Sequence, residues 1–247
     1  MIYVNLLWIG NELSLMEQLT IKLLHMHGHK VKLWCYNIIR YVPYGVEICD
    51  ANTILDKSLL FKYNGKPLPF IPNGGIGSYS HFSDQFAMML LYKHGGYFMQ
   101  ADVSIVRSLD WTINLDYVFL QHQQNNLAPY FIKAPKGNEW CIQSYERLYI
   151  ESNADTIKNN IWDGTMIKMA EVLREVMPDY KKYMLDRKHF WDLGCRGKDC
   201  PFYKDYIIPD DLFFIHWSNA TFKEEKNTPT IPSVYSRLLQ SVKLLDV

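Results

Sequence analysis

The stretch SYSHFSDQFAMMLLYKHGGYFMQADV, residues 78–103, decides how the chain is read. Phe82, Phe86, Met89 and Leu90 stand at i, i+4, i+7 and i+8, which places them on one face of a helix. Ser78, Ser80 and Ser83 are alternative N-caps, and Gly95 closes the helix. Tyr97, Phe98 and Met99 then predict a short strand ending at Gln100-Ala101-Asp102, and Val103–Val106 continue extended. Asp102 is a lone carboxylate where the chain changes direction. On its own it reads first as a turn-capping residue, with a ligand at a strand end as the alternative.

Working outward, MIYVNLLWIG (1–10) is apolar, β-branched at intervals and stopped by glycine, the pattern of a buried strand. Leu13, Met16, Leu19, Leu23 and Leu24 follow at helical spacing up to Gly28, and KVKLWCY (30–36) predicts a second strand. Strand, helix, strand in that order implies a parallel α/β sheet whose ligands bind beyond the strands' C-terminal ends, where Trp8-Ile9-Gly10 lies. Residues 64–77 are Gly- and Pro-rich and predict a loop. Strands are expected at 116–121 and 129–135, a helix at 139–149, and mainly helix over 155–185. Residues 186–211 read as irregular, and DLFFIHWSN (211–219) as a late strand ending at His216. The whole of 1–247 is expected to be one domain, with a helical and irregular segment at about 139–211 packed on it.

Composition narrows the function. With 48% hydrophobic and 15% aromatic residues in 247, a large core is available. Lys+Arg and Asp+Glu are balanced at 26 each, and no basic run marks a nucleic-acid surface. A small anion remains compatible, because a metal or a helix N-terminus neutralises it locally. The N-terminal apolar run is short and has no basic segment before it, unlike a secretory signal, and no stretch is apolar enough to span a membrane. Five cysteines, odd in number and mostly isolated, suit a reducing compartment. The expectation is a cytoplasmic protein, with peripheral membrane association left open.

The run FSDQFAMMLLYKHGGYFMQADV (82–103) resembles the signature of the DXD sugar-transferase family. That family includes initiating mannosyltransferases, α-1,4-galactosyltransferases and the catalytic domains of glucosylating toxins. Ser83-Asp84, Leu91-Tyr92, Gly95-Gly96 and Asp102-Val103 match its pattern in register. Trp8-Ile9-Gly10 is similar to the family's nucleotide-side motif, IHWSN (215–219) to its late histidine segment, and PSVYSRLL (232–239) to its closing helix. Two positions depart: Gln100 replaces the first Asp of the triplet, and Ala87 replaces an Arg.

The resemblance implies a GT-A type nucleotide-sugar-binding α/β fold and transfer of a sugar, with retention, from a nucleotide diphosphate donor, most simply UDP-linked. The acceptor is a glycan, a glycoconjugate or a lipid-linked acceptor, as in polysaccharide biosynthesis. It implies Mn²⁺ or Mg²⁺ held by Asp102 and His216. Trp8 stacks on the base, with Ile9 and Gly10 beside it. Ser83 and Asp84 face the donor sugar, Gln100 hydrogen-bonds ribose, and Ser218 and Asn219 donate to the phosphates. The paired glycines are expected to turn the chain tightly beneath the nucleotide. Gln100 and Ala87 keep a second reading open, a turnover-deficient nucleotide-sugar-binding or regulatory protein of the same fold.

Other clusters carry less. Cys195 and Cys200, with His189 nearby, lack the paired CxxC spacing of zinc sites. His25, His27 and His29 alternate at a helix end and read as a solvated terminus. GGIG (74–77) is no phosphate-binding fingerprint, since it follows a proline-rich loop, and is expected to act as a lid. In WDGTM (162–166) a glycine turn opens a helix, and its N–H groups are expected to face donor or acceptor.

Overall fold

The computed structural model describes residues 1–67, 75–122, 127–153, 162–193 and 199–245. In chain order the elements are β1 (Tyr3–Trp8), α1 (Leu15–Met26), β2 (Lys30–Cys35), β3 (Glu47–Asp50), α2 (Ser80–His94), β4 (Gly96–Met99) and β5 (Val103–Ile105). Then follow β6 (Val118–Gln121), β7 (Leu127–Ala134), α3 (Glu139–Asn153), α4 (Gly164–Val176), β8 (Met184–Leu185), β9 (Phe190–Asp192), β10 (Phe214–His216) and α5 (Val234–Ser241).

A 7-stranded sheet of order β3-β2-β1-β4-β7-β6-β8 forms the centre. Its β3-β2-β1-β4 half is parallel, and β7 runs antiparallel to both its neighbours. Side chains alternate across it, so consecutive residues face different layers. Val4 and Leu6 of β1 pack with α1, α5 and the smaller sheet on one face, while Leu7 and Phe98 pack with α2, α3 and α4 on the other. Helix α1 begins at a capping box in which Ser14 and Glu17 bond each other's backbone.

Helix α2 is buried more widely than its period suggests. Ala87, Met88 and Leu91 are as inaccessible as Phe82 and Phe86, whereas Met89 is only half-buried. The helix is wedged between the sheet and α3, so a single apolar stripe does not describe it. Its N-cap position is Tyr79, and of the three expected serines only Ser78 accepts a backbone N–H there, from Ser80 at 3.1 Å.

Gly95 and Gly96 both take positive φ, 67° and 88°, as the chain reverses from α2 into β4. A Cβ on Gly95 would lie 2.4 Å from the backbone nitrogen of Lys136. These glycines begin β4, whereas Asp102 follows its other end. They therefore join helix to strand, at the opposite end of β4 from Asp102.

The stretch 155–185 is only partly helical: 154–161 lie outside the described residues, and α4 is followed by a 3₁₀ turn and β8. The segment expected to be irregular contains β9, a three-residue strand. His29 is not solvated. It is buried, and its Nε2 accepts the N–H of Leu109 at 3.0 Å. No described helix is long and apolar enough to cross a membrane.

Candidate functional site

From β1 the chain goes through α1 to β2 on one side and later returns as β4 on the other. Such a reversal of strand order leaves a crevice beyond the C-terminal ends of the two diverging strands. Trp8-Ile9-Gly10 follows the end of β1, and Gln100-Ala101-Asp102 follows the end of β4.

After Asp102 the chain leaves the central sheet and enters a 3-stranded one, of order β5-β10-β9. Here β10 is central, antiparallel to β5 and parallel to β9, with His216 opposite Val103 on one flank and Asp192 on the other. A carboxylate therefore reaches the imidazole from each side. Nδ1 of His216 lies 3.0 Å from Asp192 Oδ1, and Nε2 lies 3.5 Å from Asp102 Oδ2. The Tyr130 ring of β7 stacks on the imidazole with centroids 3.8 Å apart. Burial disfavours the charged ring, but Asp102 and Asp192 outweigh it and hold the His216 pKa well above its ordinary value.

Asp102 is fixed at both ends. Its carbonyl accepts the Trp217 N–H at 2.9 Å, and its Oδ2 accepts the Asn219 N–H at 2.7 Å. Burial pushes its carboxyl up, but His216 and the Asn219 bond outweigh that and hold it below the ordinary range. Ser218, between those two donors, is a non-glycine residue at φ 60°, a conformation with a steric cost, and its Oγ lies 3.4 Å from His216 Nδ1.

A second cluster adjoins this turn. Asp84 is 3% exposed on α2; its Oδ1 accepts the Gln100 amide at 3.3 Å and its Oδ2 accepts the Thr165 hydroxyl. Burial pushes its pKa up to about 7, against the opposing effect of those two hydrogen bonds. Ser83 precedes it, half-buried. Thr165 belongs to the WDGTM turn, so that segment reaches the site by a side chain, to Asp84.

The third cluster is on the β1 side. Trp8 donates Nε1–H to the Glu12 carbonyl at 2.8 Å, and the Lys226 ammonium lies 5.3 Å from its ring. Lys226 bonds Asn219 Oδ1 at 2.8 Å and the fully buried Glu17 at 3.0 Å. Asn219 thus joins Trp8, through Lys226, to Asp102. Ile9 and Gly10 are half-buried beside it, and a Cβ on Gly10 would lie 3.0 Å from Trp8 Nε1.

The structure therefore brings Asp102, His216, Ser218 and Asn219 together, pairs Asp84 with Gln100, and places Trp8 within reach of Asn219. The sequence reading missed Asp192, Tyr130, Thr165, Glu17 and Lys226. Cys195 and Gly74 lie outside the described residues; Cys200 is a buried thiol, and His189 Nδ1 bonds the Asp211 carbonyl at 2.7 Å. Gly75 packs on the Trp162 ring.

Among the described residues no three His, Cys, Asp or Glu side chains form a ready metal-binding group. With the Nε2 proton displaced, Asp102 and His216 offer two ligands, one carboxylate oxygen and one imidazole nitrogen. Their 3.5 Å separation is close to the ~3 Å between adjacent ligands of an octahedral ion with ~2.1 Å bonds. This donor set fits Mg²⁺ or Mn²⁺, ions commonly held by few protein groups and completed by phosphate and water.

No protein-family model matches the chain, and no curated protein matches it. Solved glycosyltransferases are similar to it in structure. The apo-form glycosyltransferase GlyE of Streptococcus pneumoniae TIGR4 has a TM-score of 0.50 at 11% identity, over 98% of this chain and 60% of that one. Another GlyE structure from the same organism gives 0.49 and 11%, over 99% and 60%. The PaToxG glycosyltransferase gives 0.48 and 10%, over 71% and 68%. The chain spans about 60% of the length of GlyE, and the likeness is one of fold. That fold is the GT-A type: a largely parallel central sheet flanked by helices.

Proposed function

We propose that the chain is a glycosyltransferase that moves a sugar from a nucleotide diphosphate donor to a glycan, glycoconjugate or lipid-linked acceptor. The observation that carries this reading is the meeting of Asp102 and His216 at the crevice between β1 and β4. In a GT-A type fold that crevice is suited to a nucleotide. A UDP donor and a retaining outcome rest on the resemblance of residues 82–103, not on the geometry.

On this reading Asp102 and His216 hold Mn²⁺ or Mg²⁺, which neutralises charge developing on the departing diphosphate. The chain's own groups then divide the work. Trp8 offers a ring face to the base. Asn219 spends its backbone N–H on Asp102, so that group positions the ligand carboxylate; its side-chain NH₂ and the Ser218 hydroxyl are the phosphate donors of that turn. Asp84 and Gln100 form the sugar and ribose side.

Isothermal titration of UDP with and without Mn²⁺, on the wild type and on Asp102→Ala, tests the site. Binding that requires the metal and is lost in the variant is expected; absence of UDP binding, or indifference to both, rejects it. One observation favours the second reading, a binding protein that does not turn over. Asp84 is almost inaccessible, and each of its oxygens already accepts a hydrogen bond. Release of free UDP across a panel of nucleotide sugars separates the two, since a pure binding module releases none.

A further inference from the structure

We infer that Asp192, clamped by Tyr130, is a positioning residue that sets the orientation of the His216 imidazole so that Nε2 faces Asp102. The inference deepens the reading above and rests on Asp102 and His216 being the metal-side pair.

An imidazole has two nitrogens, and the one that faces a ligand is decided by what the other bonds. In this chain Nδ1 is held by Asp192 Oδ1 at 3.0 Å, well within hydrogen-bond range, leaving Nε2 toward Asp102 at 3.5 Å. The carboxylate is itself held. Its Oδ2 accepts the Tyr130 hydroxyl at 3.1 Å and lies 3.5 Å from His122 Nε2. Tyr130 acts twice, because its ring also covers the face of the same imidazole, with an interplanar angle of 23°. The stack holds the plane of the ring, and the Asp192 bond decides which of its two flipped orientations is kept.

The backbone makes the arrangement possible. His216 is in register with Asp192 across parallel β9 and β10, and Gln100 donates its backbone N–H to the Tyr130 carbonyl at 2.9 Å. The residue that orients the histidine and the turn that bears Asp102 are thereby tied to one tyrosine. Asp192 and His216 have side chains only 15% and 11% exposed, so water competes little for the bond.

Two measurements test this, one needing no ligand. In protein labelled with ¹⁵N in its imidazoles, the His216 Nδ1 proton of the wild type is expected to persist near neutral pH with the shift of a carboxylate-bonded N–H. In Asp192→Ala that signal is expected to be lost, and in Asp192→Glu partly restored. Manganese-dependent UDP affinity is expected to fall roughly 10- to 100-fold in Asp192→Ala, and less in Tyr130→Phe, which keeps the stacked ring. Should Asp192→Ala not melt cooperatively, Asp192→Leu keeps about the side-chain size without an acceptor and is read in the same way. Unchanged His216 ring signals overturn the inference whatever the affinity does. A wild type that binds and a variant that binds equally well overturn it too. If the wild type binds neither Mn²⁺ nor UDP, the glycosyltransferase reading fails, while the ring signals still decide whether Asp192 orients His216.

Discussion

The side-chain amide of Gln100 donates to the carboxylate of Asp84 at 3.3 Å. Gln100 occupies the first position of the triplet, where an aspartate would set two carboxylates against each other in a buried place. Like charges at that separation cannot both ionise without a large penalty. Gln100→Asp is therefore expected to lower stability by about 1–3 kcal/mol at pH 8 and by clearly less at pH 5, where the pair holds a proton. Urea denaturation at the two pH values checks it; equal losses would mean that residue 100 does not face Asp84 in solution.

Asp84 itself gives the fold a pH dependence. Its folded pKa, about 7, lies above the ordinary carboxylate value of 3.8, so between those values the folded state binds more protons than the unfolded chain. The contribution is fully present below about pH 4 and is lost as pH rises toward 7. In Asp84→Asn this dependence is absent. The stability of the variant minus that of the wild type is expected to increase by a few kcal/mol between pH 4 and pH 7. Denaturation curves across that range measure it, and a flat difference contradicts it.

The paired glycines separate two physical effects. Gly95→Ala must accommodate both positive φ and a Cβ 2.4 Å from the Lys136 backbone, whereas Gly96→Ala meets no atom within 4 Å and bears only the φ cost. The first is expected to cost more than ~2 kcal/mol and the second ~1–2 kcal/mol. Neither is expected to change UDP affinity in the surviving folded protein. A Gly96 variant that folds well and loses UDP would place these glycines at the site after all.

Lys226 stands against Glu17, which has no exposed surface. Lys226→Met leaves that carboxylate buried without its cation and is expected to cost about 3–5 kcal/mol. Adding Glu17→Gln is expected to recover part of the loss, so the double variant is more stable than the sum of the single ones. Thermal or urea unfolding of the four proteins in the cycle decides this, and strict additivity would contradict it.

Much of the architecture was legible because its cause is local. The β1-α1-β2 unit follows from apolar runs and a helical period, and the α2–β4 segment from one period, two glycines and an apolar triplet. Asp102 and His216 were picked out by the resemblance of their segments, since a lone Asp or His at a strand end reads first as a turn cap or a core residue. Asp192 was not. Its strand is three residues long, too short for a period, and exists because β10 is there to pair with it. The same holds for Lys226 and Glu17, whose pairing spans 209 positions, and for His29, which is buried by the Leu109 turn and not by its own helix. Patterns along the chain reveal elements; partners across it come from topology.

Both anchors of Asp102, the N–H groups of Trp217 and Asn219, are contributed more than a hundred residues later in the chain. During synthesis β1, β2 and β4 are available long before those donors emerge. A nascent chain ending before residue 217 therefore carries Asp102 without either of these anchors. The strands that flank the crevice are made early, but the meeting of Asp102 with His216 waits for β10.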